Sequence, residues 1–334
     1  MLATRFTELV GCSVPIQQAA MGGIATPELA AAVSEAGGLG MLGTSRNGIT
    51  PESLSQLIDD TQARTSVPFG VNFIASPAQL DVLDLTCIDI AARRARVVEF
   101  FFGEPSRDLV GRVHAGGALV AWQVGSCPEA VVAQAAGCDL IVVQGVEAGG
   151  FIRGVVGLHA LLNEVLSEVD VPVLAAGGIG TGRAMAAALV AGADGVRVGT
   201  RFAASEESGA HPQYVQALIG ARPEDTVLAE VFVSTLLSGR HRVLRSSLEA
   251  AQAFDGDIVG QIGSLDGTRV PVPRLRGLAV DRSATGTIEA MSLFAGESVG
   301  AVRDVQFARD IVRELAADAE RLLRATEVQG PRAP

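Results

Sequence analysis

An α/β barrel of eight strand–helix units, (β/α)8, is the fold class this sequence predicts, and three observations predict it. Short apolar, β-branched runs begin near Pro15, Gly38, Phe69, Arg96, Ala118, Asp139, Val171 and Gly195. Each interval between them has room for one helix and two loops, which is the rhythm of a parallel sheet, and eight such units close a barrel. The glycine-rich turns cluster after the seventh and eighth runs. An open doubly wound sheet would instead place a GxGxxG turn after its first strand, and none is there.

The intervening helices announce their starts. Thr26-Pro27 pairs an N-cap with a proline at the first helical position, Thr50-Pro51 repeats the signal, and Ser76-Pro77 and Cys127-Pro128 follow it less strongly. Gly37-Gly38 closes the first of these helices. After the eighth run the rhythm breaks. Residues 203–299 hold helical pieces, Pro212–Ile219 and Ser246–Ala253, and a turn-rich stretch, Gly256–Gly277, which together predict a small, mostly helical insertion over the barrel mouth. Val302–Ala325 returns to an amphipathic pattern and supplies the last barrel helix, so the barrel is expected from 1–202 and 300–330.

Composition narrows the function. Hydrophobic residues are 48% of the 334 and charged residues 19%, so the chain folds around a sizeable core. No apolar run has membrane-spanning length, and the N-terminus lacks a signal architecture, which predicts a cytoplasmic protein with no membrane partner. The four cysteines are scattered without metal-ligand spacing and read as reduced thiols. A net charge of −11, with one Trp and one Tyr, offers nucleic acid neither a basic face nor a stacking platform. All 26 basic residues are arginine. The absence of lysine rules out Schiff-base aldolase and pyridoxal-phosphate chemistry.

The chemistry concentrates at strand ends. In Asp139–Gly154, DLIVVQGVEAGGFIRG, a buried strand stops abruptly at Gln144, and Gly149 and Gly150 follow. In Ala176–Gly182, AGGIGTG, Gly177 and Gly178 let backbone N–H groups converge on one point, and Thr181 caps the next helix. Gly199-Thr200, just past the eighth strand, would complete an anion cradle where barrels commonly hold a phosphate. Met21-Gly22-Gly23 ends the first strand, Asn72 lies in the third and Gln123 ends the fifth; amide side chains on one rim suit a planar heterocycle with alternating donors and acceptors.

In combination and order, QQAAMGG, AGGLGML, GVNFI, VVQGVEAGG, VLAAGGI and VRVGTRF resemble the nitronate monooxygenases, also called 2-nitropropane dioxygenases, over nearly the whole chain, GESVG at Gly296–Gly300 included. The resemblance implies an FMN-binding TIM barrel that oxidises nitronates with O2. It further implies FMN contacts at Asn72, Gln144, Gly149, Gly178 and Arg197, Val198, Gly199 and Thr200, with Met21 and Gly22 beside the isoalloxazine ring. A monomer or homodimer acting on a small-molecule substrate is the expected assembly.

One departure stands out. In that family the glycine pair of EAGG is followed by a histidine that deprotonates the nitroalkane; here Phe151 occupies the position, and no catalytic base is assigned. His114 and His159 read as helix residues remote from the site, and His211 in the insertion could overhang the mouth. Arg153 is the candidate to hold an anionic substrate, and Phe151 makes the site more apolar. Two rivals stand beside nitronate oxidation. One is an FMN-dependent reductase or dehydrogenase of enoyl or other acyl thioesters using NAD(P)H, because flavin-dependent enoyl-thioester reductases resemble this barrel. The other is a non-catalytic flavin-binding protein.

Overall fold

The computed structural model describes residues 2–234, 237 and 239–328. Its strands are β1 (Ile16–Gln18), β2 (Gly40–Gly43), β3 (Phe69–Ile74), β4 (Val97–Phe101), β5 (Leu119–Val124), β6 (Leu140–Gln144), the short β7 (Gly150–Phe151), β8 (Val173–Ala176) and β9 (Gly195–Val198). All but β7 form one eight-stranded parallel sheet, ordered β1-β9-β8-β6-β5-β4-β3-β2. A bridge between Gln17 and Leu39 closes it, with Leu39 N donating to Ile16 O and Gln18 N to Leu39 O. This is the expected (β/α)8 barrel, and each strand begins within two residues of the position read from the sequence.

Alternation along the strands divides their side chains between two layers. Val71, Phe73, Val98, Phe100, Trp122, Ile141, Val143 and Val198 face outward into the helix layer. Met41, Val97, Ala121, Leu140, Val142 and Leu174 fill the barrel, closed below by Phe6 and Val10 of the helix Arg5–Val10. Thr26, Thr50, Ser76 and Thr181 cap their helices as their sequences suggest. At the fourth proline signal the cap is Ser126, whose hydroxyl accepts from Glu129 N, so Cys127 is already helical. Among the described residues, no helix is long and apolar enough to cross a membrane.

Residues 203–299 depart from a mostly helical reading. The helices Pro212–Ile219 and Arg245–Ala253 are present, but two small sheets accompany them. β10 (Thr226–Ala229) pairs antiparallel with β11 (His241–Leu244), and β11 pairs in turn with β7 at the barrel mouth. β12 (Ile258–Gly263) pairs with β13 (Arg269–Pro273) and with β14 (Thr285–Gly286). The turn-rich stretch is therefore a hairpin: Asp266-Gly267 sits at its tip with Gly267 at φ +83°, and Val259, Ile262 and Val272 are buried. Glycine and proline punctuation, and a bulge between Ile258 and Gly260, hid the strands.

The last helix, Ala308–Val328, docks on the helix Gly182–Val190 almost backbone to backbone. A Cβ on Gly182 would lie 2.4 Å from the Asp318 Cβ and 2.8 Å from the Leu315 carbonyl. Gly182→Val should therefore destabilise the protein by about 1–3 kcal/mol, read as a lower midpoint in denaturant unfolding. An unchanged midpoint would show that the two helices do not meet there.

Candidate functional site

A cavity opens at the carboxyl ends of the barrel strands, where the fold places chemistry. Met21, Gly22, Asn72, Gln123, Gln144, Gly149, Gly150, Phe151, Gly177, Gly178, Arg197, Gly199 and Thr200 line it from the barrel. Ser234, Leu237, Gly277, Leu278, Ala279 and Phe294 line it from the segment after β9. Three sequence candidates lie elsewhere. Val198 follows Arg197 on β9 and so points outward, into the helix layer. Arg153 turns away from the cavity: its Nε donates to Glu129 Oε1 at 2.7 Å and its Nη2 to Glu104 Oε1 at 2.6 Å. His211 caps the helix Pro212–Ile219, its Nδ1 accepting from Gln213 N, and burial holds its pKa below the ordinary value while Asp281 opposes. His114 binds Asp139 Oδ2 at 2.8 Å, and His159 is exposed at the start of the helix Leu158–Leu166.

The floor of the cavity is a buried polar cluster. The Arg197 guanidinium donates to Glu99 and to the Gln123 amide oxygen, and its Nε donates to Gln17 Oε1 at 3.0 Å. Glu99 also accepts from Asn72 Nδ2 at 2.8 Å and Gln17 Nε2 at 3.1 Å. Glu99 and Gln17 are fully buried. Burial pulls Arg197 down to about 9, so it remains charged at neutral pH, with Glu99 as counter-charge. The bond from Arg197 fixes the Gln123 oxygen, which leaves its N–H2 donor free of that cluster. Sequence reading missed Glu99 and Gln17, although a lone carboxylate inside the apolar run VVEFF was a readable sign of a buried partner.

On one side the cavity is glycine-walled. Gly177 and Gly178 have φ of +120° and +68°, which turns their backbone toward the opening. A Cβ on Gly149 would lie 2.5 Å from Gly296 N, and Thr200 Oγ1 accepts from Gly296 N at 3.0 Å. The EAGG and GESVG turns are thus stitched together, helped by Arg242, which donates to Val146 O and pairs with Glu297 at 3.1 Å.

The opposite side is aromatic. Phe101, Phe151 and Phe294 line the cavity with Ile74 and Leu237. Phe102, at φ +73°, meets Phe101 and Phe151 edge-on with ring centroids 5.0 and 6.2 Å apart. Gln144 spends its amide holding this wall: Nε2 donates to Phe151 O at 3.0 Å, and Oε1 accepts from Arg153 N at 3.4 Å. Behind Phe151 stands His241, which no sequence motif marks out, paired with Phe151 across β7 and β11. Among the described residues lining the cavity, none is His, Asp or Glu.

Comparison with known proteins gives this site its family. The nitronate monooxygenase family profile matches residues 3–318. The chain belongs to the nitronate monooxygenase family. It is 33% identical to a nitronate monooxygenase of Pseudomonas aeruginosa, over 94% of this chain and 99% of that protein. It is 31% identical to a Rhodococcus jostii protein named as a 5-hydroxy-7a-methyl-1-oxo-octahydro-1H-indene-4-carboxyl-CoA dehydrogenase, over 95% and 96% of the two chains. The solved structure of FabK from Thermotoga maritima is 30% identical and superposes with a TM-score of 0.78 over 98% of this chain and all of that one.

A nitronate monooxygenase family member with a carboxylate and guanidinium sealed under its cavity depends on keeping them paired. Glu99→Leu should leave Arg197 uncompensated and cost about 3–5 kcal/mol. Replacing both residues with apolar side chains of similar volume should recover most of that loss. Chemical denaturation of the three proteins checks this; an equal loss in the single and double variants would mean that the charges do not act as a pair.

Proposed function

We propose that the chain is an FMN-dependent oxidoreductase that oxidises nitronates with O2 and neutral nitroalkanes less well. The observation that carries this reading is Phe151 on the cavity wall: the described lining holds no carboxylate or imidazole to take a proton, and a nitronate has already lost the proton a nitroalkane must give up. The residues present fit FMN. Gly177, Gly178, Gly199 and Thr200 would hold its phosphate: all four line the cavity, and at Gly177 and Gly178 a Cβ would press on Ala148 N and Glu147 Cβ, so the turn closes on the EAGG loop only with glycine there. Met21, Gly22, Asn72 and Gln123 would face its ring system. When bound, FMN supplies the redox chemistry between substrate and O2. The chain's own part is to hold both partners, to exclude water with the aromatic wall, and to present the Gln123 N–H2 donor over a charge-balanced floor.

A second reading is reduction or dehydrogenation of an acyl thioester with NAD(P)H. The wall of Phe101, Phe151, Phe294, Ile74 and Leu237 favours it, because it suits an apolar acyl group, and so does the name of the Rhodococcus jostii relative. Anaerobic mixing separates the two. Reduction of the flavin by nitronates faster than by the matched nitroalkanes supports the first, and reduction by NADPH with no response to nitronates supports the second.

Two variants test the assignments. Gly178→Asp should strip FMN from a protein whose fold is checked by circular dichroism, because it adds a negative charge at the edge of the cradle and a side chain that presses on Glu147 at a φ of +68°. Retention of stoichiometric FMN, measured by absorbance after denaturation, would overturn the cradle. Phe151→His should raise flavin reduction by neutral nitroalkanes by on the order of 10²-fold and change reduction by nitronates far less. An equal change on both substrates would show that proton removal does not separate them.

A further inference from the structure

His241 lies at the centre of the wall without touching the cavity. Its ring is fully buried and meets Phe151, Phe232 and Phe294 edge-on or tilted, with centroids 5.5, 5.6 and 6.4 Å away. Nε2 accepts a hydrogen bond from Phe232 N at 3.2 Å, which places the neutral ring's own proton on Nδ1. Nδ1 makes no hydrogen bond of normal geometry among the described residues, although the Gly239 carbonyl lies near enough to favour its proton. The imidazole therefore has no free lone pair with which to act as a base, and its only acceptor anchors the chain just before Ser234 and Leu237, which cover the cavity.

We infer that His241 is a positioning residue for the substrate wall: it holds Phe151 and Phe294 and ties down the chain at Phe232, and it does so only while Nε2 is unprotonated. This holds for either substrate class. Protonation would set an Nε2–H against the Phe232 N–H and break the tie. Burial is the largest influence on the ring and lowers its pKa, while the Gly239 carbonyl and Glu230 act the other way. The other charged groups on the packed elements are engaged: Arg240 with Gly154 O, Arg242 with Val146 O and Glu297, and Arg153 with Glu129 and Glu104. With the folded pKa depressed, the contribution is intact above the ordinary value of about 6.5 and is lost as pH falls through the folded pKa.

Three measurements on the FMN-loaded protein test this. Nitrogen-15 spectra at neutral pH should show the Nδ1–H tautomer for one of the four histidines, the one absent from a His241→Gln variant. Hydrogen exchange of peptides covering 230–237, corrected for the intrinsic pH dependence, should speed up roughly five- to tenfold between pH 7.5 and a pH below the folded His241 pKa, which the same nitrogen-15 signal reports. His241→Gln keeps an acceptor without the titration and should exchange equally at both pH values; His241→Phe keeps a ring without the acceptor and should exchange fast at both. An Nε2–H tautomer in the native protein, or native exchange that does not change with pH, overturns the inference. None of these readouts requires substrate turnover, so failure of the nitronate reading would leave them unaffected.

Discussion

The buried pair of Arg197 and Glu99 is the constraint on which the site depends. A guanidinium and a carboxylate withdrawn from water are tolerable only when each is neutralised and hydrogen-bonded. Meeting that requirement draws in Gln17 from β1, Asn72 from β3 and Gln123 from β5, so strands far apart in sequence are set in one register around one charge cluster. The amides at the cavity floor are consequently not free to turn. Gln123 presents a donor because its oxygen is occupied, and Asn72 is held through its nitrogen. The floor is organised before any ligand arrives, which reduces the ordering cost of binding.

The barrel was legible because its signals are local and repeat. Apolar runs, Thr-Pro and Ser-Pro caps and glycine turns each act within a few residues, and together they placed every barrel strand to within two residues. Positions lining the cavity were legible for a related reason, since they lie at strand ends. What failed was information that depends on phase or on distant partners. Arg197 and Val198 are neighbours in sequence but face opposite sides of a strand. Arg153 looked available for a substrate anion because Glu104 and Glu129, distant in sequence, could not be seen to claim it. The hairpin of β12 and β13 was obscured because Pro271 and Pro273 sit within a strand largely exposed to solvent, where missing ladder donors are tolerated.

His241 shows the same limit more sharply. Nothing in the run HRVL marks its first residue as different from any polar residue entering a strand. Its role arises from the antiparallel pairing of β11 with β7, which sets it opposite Phe151, and from the return of the chain at Phe232. A fully buried imidazole surrounded by phenylalanine rings is costly unless both nitrogens are satisfied, and here Nδ1 has the Gly239 carbonyl near it but outside normal hydrogen-bond geometry. That cost falls on the aromatic wall, where unsatisfied groups and unusual backbone are concentrated: Phe102 at positive φ is part of the same cluster.

Phe151 on the cavity wall does more than leave that position without a base. The Phe151 side chain makes no hydrogen bond, and its backbone is fixed by pairing with β11 and by Gln144, which commits both ends of its amide to the loop. Its ring needs apolar neighbours, which Phe101, Phe102, Phe294 and Leu237 supply. Arg153, two residues on, is drawn outward by Glu129, while Glu129 also accepts from Gly125 N, fixing the loop to the end of β5. Each of these contacts stiffens the loop in a conformation that presents carbon, rather than a proton acceptor, to the cavity. Such a wall favours apolar groups in the cavity, and the described lining sets no carboxylate or imidazole beside them.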